Sequence, residues 1–154
     1  MKPLFAPLYL IALLGVASLG YAQGSEHVVL TPGAYRITYK LVKANLPAPN
    51  KTKIYERCLD AAYLENIESS PNLLIGDDRA QCETSDFTGD LTTGKWKTRC
   101  EGKNKLKGDA NVKFAETTYL GEANIASTWM GIDVKATFSF AGERIGDCSV
   151  IVNK

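Results

Sequence analysis

Ile132-Asp133-Val134-Lys135-Ala136-Thr137-Phe138-Ser139-Phe140 alternates apolar and polar residues without a break. In a strand, successive side chains point to opposite faces, so Ile132, Val134, Ala136, Phe138 and Phe140 share one side. Neighbouring stretches repeat the pattern. After Pro32-Gly33, residues Ala34 to Lys43 place Tyr35, Ile37, Tyr39 and Leu41 on one face and Arg36, Thr38 and Lys40 on the other. Lys95 to Glu101 turns Trp96, Thr98 and Cys100 inward. Asp109 to Ala115 does the same with Ala110, Val112 and Phe114, and Thr118 to Ser127 with Tyr119, Ala123 and Ile125. Period-two patterning sustained over so many segments describes a sheet with one buried and one wet face.

Two further strands complete the set, Thr52 to Leu59 and one opening at Cys82. Asn45-Leu46-Pro47-Ala48-Pro49-Asn50 separates the first two strands, since two prolines cannot continue a paired strand. One helix is predicted, Ala61 to Glu68, with Asp60 as its cap and Leu59 and Leu64 as a hydrophobic staple. Pro71 should end it, leaving residues 69 to 80 as a loop. The expected fold is mainly β: a curved antiparallel meander of about seven strands, barrel-like if its edges meet, with one short helix after the second strand.

Residues 1–22 read as a cleaved signal peptide and 23–154 as a single β-rich domain. Lys2 gives a positive start, Leu4 to Leu19 an apolar stretch, and Gly20-Tyr21-Ala22 the small residues that a signal peptidase reads. The apolar run is short for a membrane span and carries Pro7. No second long apolar run follows, so no stable membrane span is expected after cleavage. The location implied is periplasmic or secreted.

Of 154 residues, 45% are hydrophobic and 23% charged, with a net charge of +1. That balance excludes a disordered chain and argues against a nucleic-acid partner. Charge is uneven along the chain. Residues 60 to 90 are acidic, whereas 95 to 107 carry Lys95, Lys97, Arg99, Lys103, Lys105 and Lys107 against Glu101 alone. The favoured reading of this basic comb is the solvated face of a strand and its turn, with outward Lys guarding an edge. The other is a dock for an anionic surface such as lipid head groups.

Cys58, Cys82, Cys100 and Cys148 form an even set in an exported chain, so disulfides are the default. Four Cys allow three pairings. A local argument favours Cys82 with Cys100, which flank a hairpin and would set Glu83 against Arg99 and Thr84 against Thr98. Cys58 would then join Cys148. The same register sets Asp86 against Trp96, so a bulge near Asp86-Phe87 is expected, returning Phe87 to the core face.

Gly142-Glu143-Arg144-Ile145-Gly146-Asp147-Cys148 is a G-x-R-x-G-D-C ending. With it go Pro32-Gly33, Arg57-Cys58-Leu59, Cys82 before a hairpin, and Trp96 four residues before Cys100. Together these resemble a bacterial exported family known only as a domain of unknown function, number 3617, over about Pro32 to Cys148. The resemblance implies an exported protein and supplies no catalytic residues. In physical terms, Gly142 and Gly146 permit turns, and Arg144 and Asp147 pair with each other or cap backbone groups. The alternative makes Arg144 and Asp147 a ligand site.

No catalytic residue, metal or cofactor is expected. His27 is the one His and lies near the mature start. Asp77-Asp78 beside Gly76 suits a turn better than a metal site. The main functional expectation is therefore a non-catalytic binding module. Its partner would be an apolar or amphipathic ligand, or an envelope component, held by Tyr35, Tyr39, Trp96, Tyr119, Trp129 and Phe138. The alternative is an envelope accessory protein acting through protein contacts, with those aromatics filling its core. A carboxylate-based hydrolase is a distant third.

Overall fold

The computed structural model describes residues 28–47, 52–75, 82–101 and 105–152. Seven strands form one antiparallel sheet: β1 Gly33–Ala44, β2 Thr52–Leu59, β3 Cys82–Gly89, β4 Thr93–Cys100, β5 Leu106–Phe114, β6 Thr118–Trp129 and β7 Ile132–Gly146. The order across the sheet is β2-β1-β7-β6-β5-β4-β3. Strands β3 to β7 are a meander, as the alternating segments predict. β1 then docks on the far side of β7, so the two ends of the fold meet inside the sheet.

The sheet does not close. β2 and β3 lie at opposite edges, and the barrel form of the sequence expectation is corrected accordingly. The reason lies in the chain between those edges. Helix α1 (Ala61–Glu65) and two 3-10 turns, Ile67–Ser69 and Pro71–Ile75, lie over the buried face of the sheet. They fill that face with Leu64, Ile67, Pro71 and Leu74. The Tyr119 hydroxyl on β6 donates to the Leu74 carbonyl at 2.8 Å. Trp96 Nε1 on β4 donates to Asn72 Oδ1 at 3.0 Å, and Asn72 Nδ2 donates to Thr98 Oγ1 at 3.0 Å. A helical plug thus occupies the side that a closed barrel would fill with strand side chains.

The plug corrects two local expectations. The helix ends at Glu65, because Asn66 donates its backbone N–H to the Tyr63 carbonyl and its side chain to that of Ala62. Pro71 opens a 3-10 turn instead of leading into a loop; its missing N–H costs nothing at a first helical position. The cap is as expected, with Asp60 accepting from the Tyr63 N–H at 2.8 Å. Residues 149–152 form a further short turn of helix that the sequence pattern did not signal.

The core is apolar throughout: among the described residues no polar or charged one is fully buried. Its largest fully buried side chains are Trp96, Tyr35, Tyr119 and Phe140. Burial fades along β7. Phe140 is buried, Phe138, Ala136 and Val134 are half-buried, and Ile132 is 50% exposed. The nine-residue run that announces the sheet therefore extends past the core it helps to build.

The β3–β4 hairpin has the expected register, Cys82 opposite Cys100, Glu83 opposite Arg99 and Thr84 opposite Thr98. The pairing then shifts between Ser85 and Thr88, with Asp86 at φ 54°. This bulge turns Phe87 onto the core side, where its ring lies 6.4 Å from that of Trp96.

Candidate functional site

The residues that carry the family resemblance meet at one seam. Ala34 on β1 stands opposite Cys58 on β2 and Gly146 on β7; the next residue, Tyr35, stands opposite Arg57 and Arg144. Disulfides join Cys58 to Cys148 and Cys82 to Cys100. Arg144 donates from Nε to the Pro32 carbonyl at 2.9 Å and from Nη2 to Asp147 at 2.6 Å. The Tyr35 hydroxyl donates to the Thr31 carbonyl at 2.6 Å. Burial raises the Tyr35 pKa to about 12, moderated by the nearby Arg144 guanidinium. These contacts bind the start of β1 to the ends of β2 and β7.

Gly142 does not make the turn that the sequence reading gave it. It lies within β7, opposite Tyr119, and a Cβ there would collide with the Tyr119 ring. Its role is clearance for a buried aromatic. Gly146, at φ 146°, does adopt a backbone conformation that other residues avoid, next to a shift in the β1–β7 register.

The six aromatics proposed to hold a ligand divide into groups. Tyr35, Trp96 and Tyr119 are fully buried, their polar atoms taken up by Thr31, Asn72 and Leu74. Burial drives the Tyr119 and Tyr63 hydroxyls well above their ordinary range. Tyr39 and Phe138 are half-buried and stack with ring centroids 4.6 Å apart. Trp129 ends β6, opposite Ile132. His27 and Asp77-Asp78 lie outside the described residues, as does Lys103 of the basic comb. Among the described residues no cluster of three His, Cys, Asp or Glu could hold a metal.

A cavity of about 810 Å³ opens on the other side of the sheet. Directly paired residues in an antiparallel sheet point the same way, so two rows of side chains can be followed across the strands. One runs Arg99–Lys107–Ala126–Lys135 over β4 to β7. The other runs Lys97–Asp109–Asn124–Thr137–Lys43 over β4 to β7 and on to β1. All nine line the groove.

Asn124, Ala126 and Thr137 are half-buried although they face away from the core, and so form a recessed floor. Thr137 donates to Asn124 at 3.0 Å, and Asn124 donates to Asp109 at 3.3 Å. At one end Asn45 pins β7, donating to the Asp133 carbonyl at 2.9 Å and accepting from the Lys135 N–H at 2.8 Å.

Five cations surround that floor. Lys97 pairs with Asp86 at 2.8 Å, which raises its pKa, and Arg99 pairs with Glu101 at 2.9 Å. These two contacts offset part of the comb's charge. They do not extend to Lys43, Lys107 and Lys135, which have no carboxylate partner among the described residues. The sequence reading missed the groove because Lys43 and Lys135 lie far from the comb along the chain, and only the strand order brings them to it.

No helix among the described residues is long and apolar enough to cross a membrane. A family model described as a protein of unknown function, DUF3617, matches residues 30–148. No curated protein and no solved structure matches the chain.

Proposed function

The chain belongs to the DUF3617 family, and we propose that it is an exported, non-catalytic binding module that holds a small ligand in the groove on the open face of its sheet. The observation that carries this reading is the groove itself. At about 810 Å³ it lies in the size range of small-molecule sites, roughly 300–1,000 Å³. Its floor offers hydroxyl and amide groups beside the methyl of Ala126, and the exposed Asp109 carboxylate lines it as well. Burial of Tyr35, Trp96 and Tyr119 in the core supports placing the site on the opposite face.

Export is supported by the two disulfides, which mark a chain that folds outside a reducing cytoplasm. The leader-like residues 1–22 favour the periplasm or the medium. The non-catalytic reading is supported by the single His near the mature start. It is supported too by Asp109 being the one carboxylate among the described groove-lining residues, whereas a carboxylate hydrolase needs a pair.

An accessory role through protein contacts has its own support in β2, an edge strand with Ile54 62% exposed. Native mass spectrometry of protein purified from its own periplasm separates the two. The binding-module reading expects an added small-molecule mass; a bare mass together with a captured partner protein would favour the accessory role.

A further inference from the structure

Resting on that reading, we propose that the ligand of the groove is an amphipathic organic anion, with a phosphate or carboxylate head held by Lys107, Lys135 and Arg99 and an apolar body lying along the floor. The first argument is the pairing within the rows. Arg99 and Lys107 are directly opposed on β4 and β5, and Lys135 follows across Ala126; the acid of that row, Glu83 on β3, lies on the far side of Arg99, away from Lys107 and Lys135. Like charges directly opposed across strands are unfavourable. If the outer face served solubility alone, an acid in place of Lys107, between Arg99 and Ala126, would serve it better. Glu83 and Glu101 both lie beside Arg99, and the uncompensated charge of the row is that of Lys107 and Lys135.

The second argument is size and lining. A bare inorganic anion would leave most of about 810 Å³ empty. Lysine ammonium groups sit at the ends of apolar stems that can lie against a hydrocarbon body while the charged ends reach its head. Ala126 lies between Lys107 and Lys135 in the same row, so the floor at the charged end is a methyl group. The polar relay Thr137–Asn124–Asp109 runs beside it and supplies a neutral hydroxyl and amide before any negative charge is met. Charge-assisted hydrogen bonds from Lys and Arg are the strong kind. The groove is open to water, so salt should weaken them.

Amide chemical-shift titration of the isotope-labelled mature protein tests this. The probes are dodecyl phosphate below its micelle concentration, dodecyl maltoside with the same chain and a neutral head, and inorganic phosphate. Dodecyl phosphate should move the amides of residues 107–109, 124–126 and 135–137. It should bind at least about tenfold more tightly than either other probe, and the Lys107→Gln/Lys135→Gln pair should lose about that factor. Both substituted residues are exposed, and the same spectra report whether the variant is folded.

Equal affinity for the two dodecyl probes, or affinity unchanged in the variant, would overturn the anion assignment and leave the binding groove standing. Tighter binding of inorganic phosphate than of dodecyl phosphate would overturn the apolar body. Sedimentation with phosphatidylglycerol vesicles, without any groove shift from dodecyl phosphate, would replace the ligand with a membrane surface. No shift in the groove from any probe, with a bare native mass, would remove both this inference and the function on which it rests.

Discussion

Arg99 on β4 and Lys107 on β5 stand directly opposite each other on the open face of the sheet. Replacing Lys107 by Glu would turn an opposed like pair into an attractive one. The ligand-free Lys107→Glu protein should be more stable than the parent, by about 0.2–1 kcal/mol in urea unfolding. The lower end is expected, because Arg99 already meets Glu101 at 2.9 Å. A clear loss of stability would show that Lys107 has a structural role that the groove reading does not give it.

Tyr119 fills the space above Gly142 and anchors the helical plug through Leu74. Gly142→Ala should destabilise by about 1–3 kcal/mol, the usual result of overpacking a filled core. Tyr119→Phe keeps the ring and removes one buried hydrogen bond, and should cost about 1–3 kcal/mol because the Leu74 carbonyl loses its side-chain donor. Urea midpoints of the two variants check both values.

Arg144 touches both the Pro32 carbonyl and Asp147, but the Asp147 side chain is 85% exposed. Asp147→Asn should therefore change stability by less than about 1 kcal/mol. Arg144→Met should cost about 1.5–3 kcal/mol, since it also frees the Pro32 carbonyl from a charged donor. Equal losses from the two substitutions would mean that the ion pair, and not the tie to β1, is what matters at the seam.

The two disulfides should differ in worth. Cys58–Cys148 spans 90 positions and Cys82–Cys100 only 18. In the chain-entropy account, removing the first as a Ser pair costs about 4–5 kcal/mol and removing the second about 3 kcal/mol. Thermal unfolding of the two double-Ser variants should rank them in that order.

Alkaline pH should unfold the protein through its buried tyrosines. In the folded chain, burial raises Tyr35 from about 10 to about 12, and Tyr63 and Tyr119 shift in the same direction. The unfolded chain releases these protons first, near pH 10. The stability contributed is therefore fully present below pH 10 and declines as pH rises toward 12. Phenolate absorbance should show an early group of tyrosines and a late group whose ionisation coincides with loss of the folded spectrum.

Much of the sheet was legible because period-two burial writes itself into the chain at every strand. Even the bulge could be read, since Phe87 falls out of step with Trp96 unless one residue is inserted. The strand order was not legible. Pairing β1 with β7 joins segments from opposite ends of the domain, and no local pattern records it. Pro71 reads locally as a stop, although the residue that cannot continue a helix can begin a 3-10 turn. The groove escaped for the same reason as the strand order: its cations come from β1, β4, β5 and β7 and become neighbours only in the sheet.

The most direct test of the account is the native mass of two periplasm-purified proteins, the parent and Ala126→Trp. Trp at position 126 would fill the groove floor from the open face and leave the core beneath untouched. The account predicts that the parent carries a bound small-molecule mass and that the variant, equally folded, is bare. A ligand mass retained in Ala126→Trp would place the binding site elsewhere and contradict the central claim.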